Sequence, residues 1–216
     1  MQWMMAIGTL WTSKPPKMKK INFNLKILTL IFLIAFTKNS YSSISKDFIN
    51  NITAEASNIL SSEETETVKI KKLVIIGEKS VDIEGIGFYT LGKHRKNLND
   101  VQKDEFKKIF RKYFLKSFST RLVEYKEAKI VVISEDVKND KYTIVKSKLL
   151  ATSNRPEVAI DWRVYTKDPS KLLIRDLIIE GLSLARTQRE EFNSIIMNND
   201  GNISALFTNL KEFNNK

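Results

Sequence analysis

The chain has 216 residues, no cysteine, one histidine and a formal net charge of +11. That length suits one domain plus a processed segment, and a composition of 42% hydrophobic and 28% charged residues excludes a disordered chain. Without cysteine there are no disulfides and no thiolate metal sites.

Lys19, Lys20 and Lys26 precede an apolar stretch, Ile27 to Phe36, broken only by Thr29 and followed by the small-residue frame Ser40-Tyr41-Ser42. A basic region, a short apolar run and small residues at a cleavage site are the pattern of an export signal, predicting cleavage after Ser42 and a periplasmic product. The run is too short for an ordinary membrane anchor, which needs about 20 apolar residues. Residues 1–17, with Trp3, Trp11 and Pro15-Pro16, fit no such pattern and read as an extension upstream of a start at Met18. Residues 18–42 are then the signal peptide, and 43–216 a single domain. The first 42 residues hold six of the 36 basic groups and no acid, so the remainder carries 30 basic against 25 acidic groups. Much of the nucleic-acid-like charge belongs to the export segment, and what remains is mildly basic.

Phe48, Ile49, Ile52, Ala56, Ile59 and Leu60 recur on one helical stripe over residues 45–60. Ser62 ahead of Glu63, Glu64 and Glu66 predicts the start of a second helix. Val68 to Ile76 also has strand character, and Gly77 after it favours a helix with a glycine stop. A third helical segment spans about Asp82 to His94. Next, Asn99 with Gln102 makes a capping box, and Phe106, Ile109, Phe110, Tyr113, Phe114, Phe118, Leu122 and Tyr125 recur at helical spacing. The opposite face carries Lys103, Lys107, Lys108, Arg111, Lys112 and Lys116. Then the period changes. Lys129–Val137, Tyr142–Thr152, Val158–Thr166 and Lys171–Glu180 read as strands, the third alternating Val158, Ile160, Trp162 and Val164 with Ala159, Asp161, Arg163 and Tyr165. After Gly181 helices return over Ser183–Met197 and Asn202–Phe213. The expected fold is α+β: a four-stranded antiparallel sheet packed against several helices, with the long aromatic helix on its apolar face.

Candidate chemistry is sparse. Asp161, Asp176 and Glu180 on neighbouring strands read as solvent-facing or turn-bonding carboxylates before they read as an acid/base pair. Gly181-Leu182-Ser183-Leu184-Ala185 lacks the final glycine of a nucleophile elbow, and His94 sits in the basic run Lys93-His94-Arg95-Lys96. No metal-ligand spacing or phosphate-cradling glycine loop occurs, so no cofactor is expected.

Several segments resemble one family in order along the chain. Val81-Asp82-Ile83 with Tyr89-Thr90-Leu91-Gly92-Lys93-His94-Arg95, the helix marked by Asn99, Gln102, Phe106 and Phe110, and the strand Val158–Val164 are similar to its motifs. So are Asp176-Leu177-Ile178-Ile179-Glu180-Gly181-Leu182-Ser183-Leu184 with Thr187, Arg189 and Phe192, and the closing segment Gly201–Leu210. The family is the MlaC-like periplasmic phospholipid-binding proteins, also called the toluene-tolerance or ABC-transporter auxiliary family. Leu172 and Arg175 stand where it often carries aromatics. The resemblance implies a monomeric carrier that holds acyl chains in an apolar cavity between sheet and helices. It also implies passage of phospholipid between an outer-membrane lipoprotein–porin complex and an inner-membrane ABC transporter, and no enzymatic activity. The implied cavity lining is Phe88, Leu91, Phe106, Phe110, Tyr113, Phe114, Phe118, Ile144, Val158, Ile160, Trp162, Val164, Leu177 and Ile179, with Phe110, Phe114 and Phe118 facing Ile160, Trp162 and Val164.

Two acyl chains with about 30 methylenes gain on the order of 25 kcal/mol on leaving water. Such a pocket must therefore be nearly as apolar as a bilayer, with the head group exposed to water, a volume of roughly 1,000 Å³ and loose head-group selectivity. The basic face, represented by Lys107, Arg111 and Lys112, is either solvated or docks on acidic partners. Two other readings stay open: a small-ligand enzyme on a similar fold, and an interaction protein with a filled core.

Overall fold

The computed structural model describes residues 43–125 and 127–216, so the expected export segment and the extension before it lie outside the described residues. Helix α1, Ile44–Ser61, is capped by Ser43 and buries Ile49 and Leu60, as its stripe predicts. Ser62 closes this helix instead of opening the next: its backbone N–H and its hydroxyl both donate to the Ile59 carbonyl, at 3.3 and 2.8 Å. Helix α2, Glu66–Ser80, starts after Thr65 and runs through Gly77. Gly77 is thus no stop signal. A Cβ there would sit 3.1 Å from Leu115 Cδ2 and 3.4 Å from the Phe118 ring, so glycine lets another helix approach closely.

Helix α3, Ile83–Thr90, is capped by Asp82, whose carboxylate accepts from Gly85 N at 2.9 Å, and a 3₁₀ turn, Gly92–Asn97, follows. Helix α4, Asp100–Leu122, begins with both halves of the predicted capping box: Gln102 N donates to Asn99 Oδ1 at 2.9 Å, and Asn99 N to Gln102 Oε1 at 3.1 Å. Beyond it lie β1 (Ile130–Asn139), β2 (Tyr142–Leu149), β3 (Val158–Tyr165) and β4 (Leu173–Ile179). A turn at Glu180-Gly181, both at positive φ, then folds back a short β5, Leu182–Ser183, which the sequence reading did not separate from the helix after it. Helices α5 (Leu184–Met197, capped by Ser183) and α6 (Ile203–Asn215, capped by Asn202) complete the chain. Among the described residues no helix is long and apolar enough to cross a membrane.

The sheet is antiparallel with strands in sequence order. The fold is therefore α+β, as expected, with a fifth short strand. The position of α4 differs from expectation: it packs against α2, α3 and α6 as the hub of the helical layer, while α1 lies over β1 and β2, and α5 against β4. The reason lies in the width of its aromatic stripe. Phe106 meets Phe88 and Phe207, with ring centroids 6.1 and 5.7 Å apart, and Phe110 meets Phe192 edge-on at 6.1 Å. Rings pointing in several directions need neighbours on several sides, and helices supply them. Phe114 and Phe118 stack at 5.9 Å, and Phe118 lies beside Gly77 of α2.

Candidate functional site

On β3, Val158, Ile160, Trp162 and Val164 share one face, as their alternation predicts. The register sets Leu149, Ser147, Val145 and Thr143 opposite them on β2, and Ile179, Leu177 and Ile174 opposite Ile160, Trp162 and Val164 on β4. Two polar residues on this face are buried. Trp162 Nε1 donates to Ser147 Oγ at 2.8 Å, and Ser147 Oγ donates to the Ile160 carbonyl at 2.9 Å, so the indole N–H is satisfied internally.

The residues expected to line an acyl cavity form one continuous core, in which Leu91, Phe106, Phe110, Ile160, Trp162 and Val164 are buried and Phe88, Tyr113, Phe114, Val158 and Leu177 are packed against it. Three members of the set stand apart from that core: Phe118, Ile179 and Ile144. Ile144 pairs with Arg163, on the opposite face of the sheet from Trp162.

That opposite face forms one wall of a cleft of about 740 Å³. Asp136, Lys138 and Asn139 of β1, Tyr142, Ile144 and Lys146 of β2, Asp161 and Arg163 of β3, and Arg175 and Ile178 of β4 contribute to it. Gly85, Ile86 and Tyr89 of α3, Arg95 of the 3₁₀ turn and Ala185 of α5 make the other wall. Ile86 and Ala185 belong both to the cleft and to the buried core, so the core reaches the surface there.

Five cations and two carboxylates line this cleft. Asp136 is held by Lys138, whose hydrogen bond lowers the carboxyl pKa below its ordinary range. Arg175 occupies the bulge in β4, donating to Asp82 Oδ2 at 2.6 Å and to the Tyr142 hydroxyl at 2.7 Å, with its guanidinium 4.0 Å from the Tyr165 ring centroid. Partial burial pulls its pKa down, but the Tyr142 hydrogen bond and the Asp82 charge outweigh that, and it stands above its ordinary value. Arg163 makes one contact of 3.6 Å, to Asp176. Among the described residues, Lys146 and Arg95 have no hydrogen bond or ion pair through their side chains.

The groups that suggested acid/base chemistry have structural duties. Asp176, buried, accepts from Ser183 Oγ at 2.6 Å and Ala185 N at 3.0 Å, fixing the start of α5. Ser183 is the cap of that helix, accepting from Arg186 N at 3.1 Å. Glu180 accepts from Ala159 N, and His94 Nε2 lies 3.0 Å from Asn193 Oδ1 on the exterior. Among the described residues no cluster of His, Asp or Glu is placed to hold a metal ion. On α4's basic face, Lys107 contacts Glu84 at 3.3 Å and Asp104 at 3.4 Å, Arg111 pairs with Glu78 at 2.6 Å, and Lys112 is exposed.

Sequence reasoning overlooked the cleft. Its only signal was the basic residue content of the polar positions on β2 and β3, Lys146 and Arg163.

The described residues thus form an α+β domain whose apolar core surfaces beneath a polar rim. Residues 43–212 match the family model described as MlaC protein, and the chain belongs to that family. Among solved structures it is similar to the phospholipid-binding protein from Ralstonia solanacearum, determined in complex with a phospholipid. The TM-score is 0.65 at 16% identity, covering 78% of this chain and 95% of that one, which supports the fold. A comparison of the sequence with curated proteins gives no match.

Proposed function

We propose that this protein is a periplasmic phospholipid carrier that encloses acyl chains between its helical layer and its sheet. It is exported by the segment before Ser43 and is not an enzyme. The observation that carries the reading is the junction at Ile86 and Ala185, where a polar-rimmed cleft opens onto the apolar core. The cleft itself is too polar for acyl chains, because leaving water is worth about 0.8 kcal/mol per methylene only where the surroundings are apolar. The chains therefore pass Ile86 and Ala185 into the core, lined by Phe88, Leu91, Phe106, Phe110, Tyr113, Phe114, Ile160, Trp162, Val164 and Leu177, with Phe118, Val158 and Ile179 at its margins.

This entry requires the two layers to separate. The construction favours it: α4 is anchored on other helices, and the polar ties to β4 are few, Asp82 meeting Arg175 and the Ile174 carbonyl, and Ala185 N meeting Asp176. In the family's role the carrier exchanges lipid with an inner-membrane ABC transporter and an outer-membrane lipoprotein–porin complex, docking through Lys107, Arg111 and Lys112 on the outward face of α4.

The test uses the protein secreted from its full chain. N-terminal sequencing is expected to give Ser43 first, and extraction with mass analysis to recover phospholipid. Trp162 is the single tryptophan beyond residue 42, so quenching of its emission by a phospholipid with brominated acyl chains reports the chains' position. A product without phospholipid and an emission indifferent to the brominated lipid would overturn the reading in favour of a filled-core interaction protein.

A further inference from the structure

An amphiphile placed with its chains past Ile86 and Ala185 has its head group in the cleft, and the cleft is not electrically neutral. Of its five cations, Lys138 is committed to Asp136 and Arg175 to Asp82, while Arg163 holds Asp176 only at 3.6 Å. Asp176 does not need Arg163, since Ser183 Oγ and Ala185 N already bond its two oxygens. Lys146 stands near Ile144 on β2 and faces Asp161 across the strands; its charge acts on Asp136, but it makes no hydrogen bond or close ion pair, and Arg95 enters from the helical wall. Three basic groups with unused donors thus converge on one polar cavity, two of them from adjacent strands.

We propose that this cleft is a phosphate-binding subsite, in which Arg163 and Lys146, with Arg95 from the opposite wall, hold the phosphodiester of the bound lipid. The inference rests on the carrier reading and sharpens it. Arg163 supplies a planar fork suited to phosphate oxygens and Lys146 a compact charge beside it. Arg175 is the wall of the subsite, kept in place by Tyr142, Tyr165 and Asp82. All phospholipids share a phosphate at this depth, so the subsite leaves the head-group alcohol free to vary while rejecting diacylglycerols of the same chain length.

The experiment compares three probes on the secreted protein after lipid removal: dihexanoylphosphatidylcholine, dihexanoylglycerol and inorganic phosphate, by calorimetry and Trp162 emission. The wild type is expected to bind the phospholipid roughly 10- to 100-fold more tightly than the diacylglycerol, the worth of about one charge-assisted hydrogen bond. The double variant Lys146→Gln, Arg163→Gln alters surface groups that leave the core intact. It should bind phospholipid as weakly as diacylglycerol, with diacylglycerol binding and melting temperature unchanged. Equal binding of the two amphiphiles by the wild type, or a double variant that keeps the preference, overturns the subsite and leaves the carrier intact. Binding of inorganic phosphate alone, lost in the double variant, identifies a free-anion site and overturns subsite and carrier together.

Discussion

The polar contact between Trp162 and Ser147 is the place where the packing of the sheet's inner face is most exposed to test. Ser147→Ala removes two hydrogen bonds at once, leaving the indole N–H of a residue only 8% exposed without an acceptor. A buried donor left unpaired costs about 1–3 kcal/mol, and the second lost bond about 0.5–1.5 kcal/mol. At roughly 2–4 °C per kcal/mol for a domain of this size, the melting temperature should fall by roughly 3–18 °C. Trp162→Phe removes the same donor from the other side, so in that background Ser147→Ala no longer strands an N–H and its cost shrinks. A double-mutant cycle by thermal melts followed by circular dichroism should give a coupling on the order of 1 kcal/mol between the two positions. Additive single-variant effects, within about 0.3 kcal/mol, would show that the indole N–H does not depend on Ser147 and would refute this account of the inner face.

Other contacts in the fold give further expected outcomes. Gly87→Ala would place a Cβ 2.7 Å from Phe110 Cδ1 in a buried ring contact, and should cost about 1–3 kcal/mol in a denaturant titration. Asp82→Ala removes both the cap of α3 and the partner of Arg175, and should cost about 1–3 kcal/mol by the same measurement, with Arg175→Ala less than additive to it. Burial, with the Glu191 charge adding to it, raises the Tyr113 hydroxyl above its ordinary value of 10.0. Its contribution is therefore fully present below that value and lost as pH climbs through the raised one, so melts between about pH 9 and 11 should fall more steeply in the wild type than in Tyr113→Phe.

The kinds of element were written in the sequence because their causes are local. The capping box at Asn99 and Gln102 and the alternation of Val158, Ile160, Trp162 and Val164 need no knowledge of the rest of the chain. Relations between elements were not. Gly77 looks the same in sequence whether it ends a helix or admits a neighbour, and only Leu115 and Phe118 across the interface decide. The stripe of α4 shows that the helix is buried, yet its rings point so widely that periodicity cannot tell a sheet from a ring of helices. On β2, Ile144 and Val145 are both apolar, so the pattern leaves the face of Ile144 open until Val145 is paired with Trp162. The cleft was least legible of all. Its basic groups, Arg95, Lys138, Lys146, Arg163 and Arg175, are separated along the chain and drawn together by the register of the strands and by the 3₁₀ turn beside them.

The C-terminal helix has a consequence for how this chain reaches its native state. Leu206, Phe207 and Leu210 are buried, Phe207 stacks on Phe106, Lys116 donates to the Phe213 carbonyl at 3.2 Å, and Lys211 pairs with Glu105. Helix α4 therefore has no complete surroundings until the last dozen residues have been delivered. The meander of neighbouring strands can form early, since each strand pairs with the next in sequence and closes only short loops. The aromatic hub, by contrast, stays uncovered until α6 docks on it, which makes that docking the step that seals it.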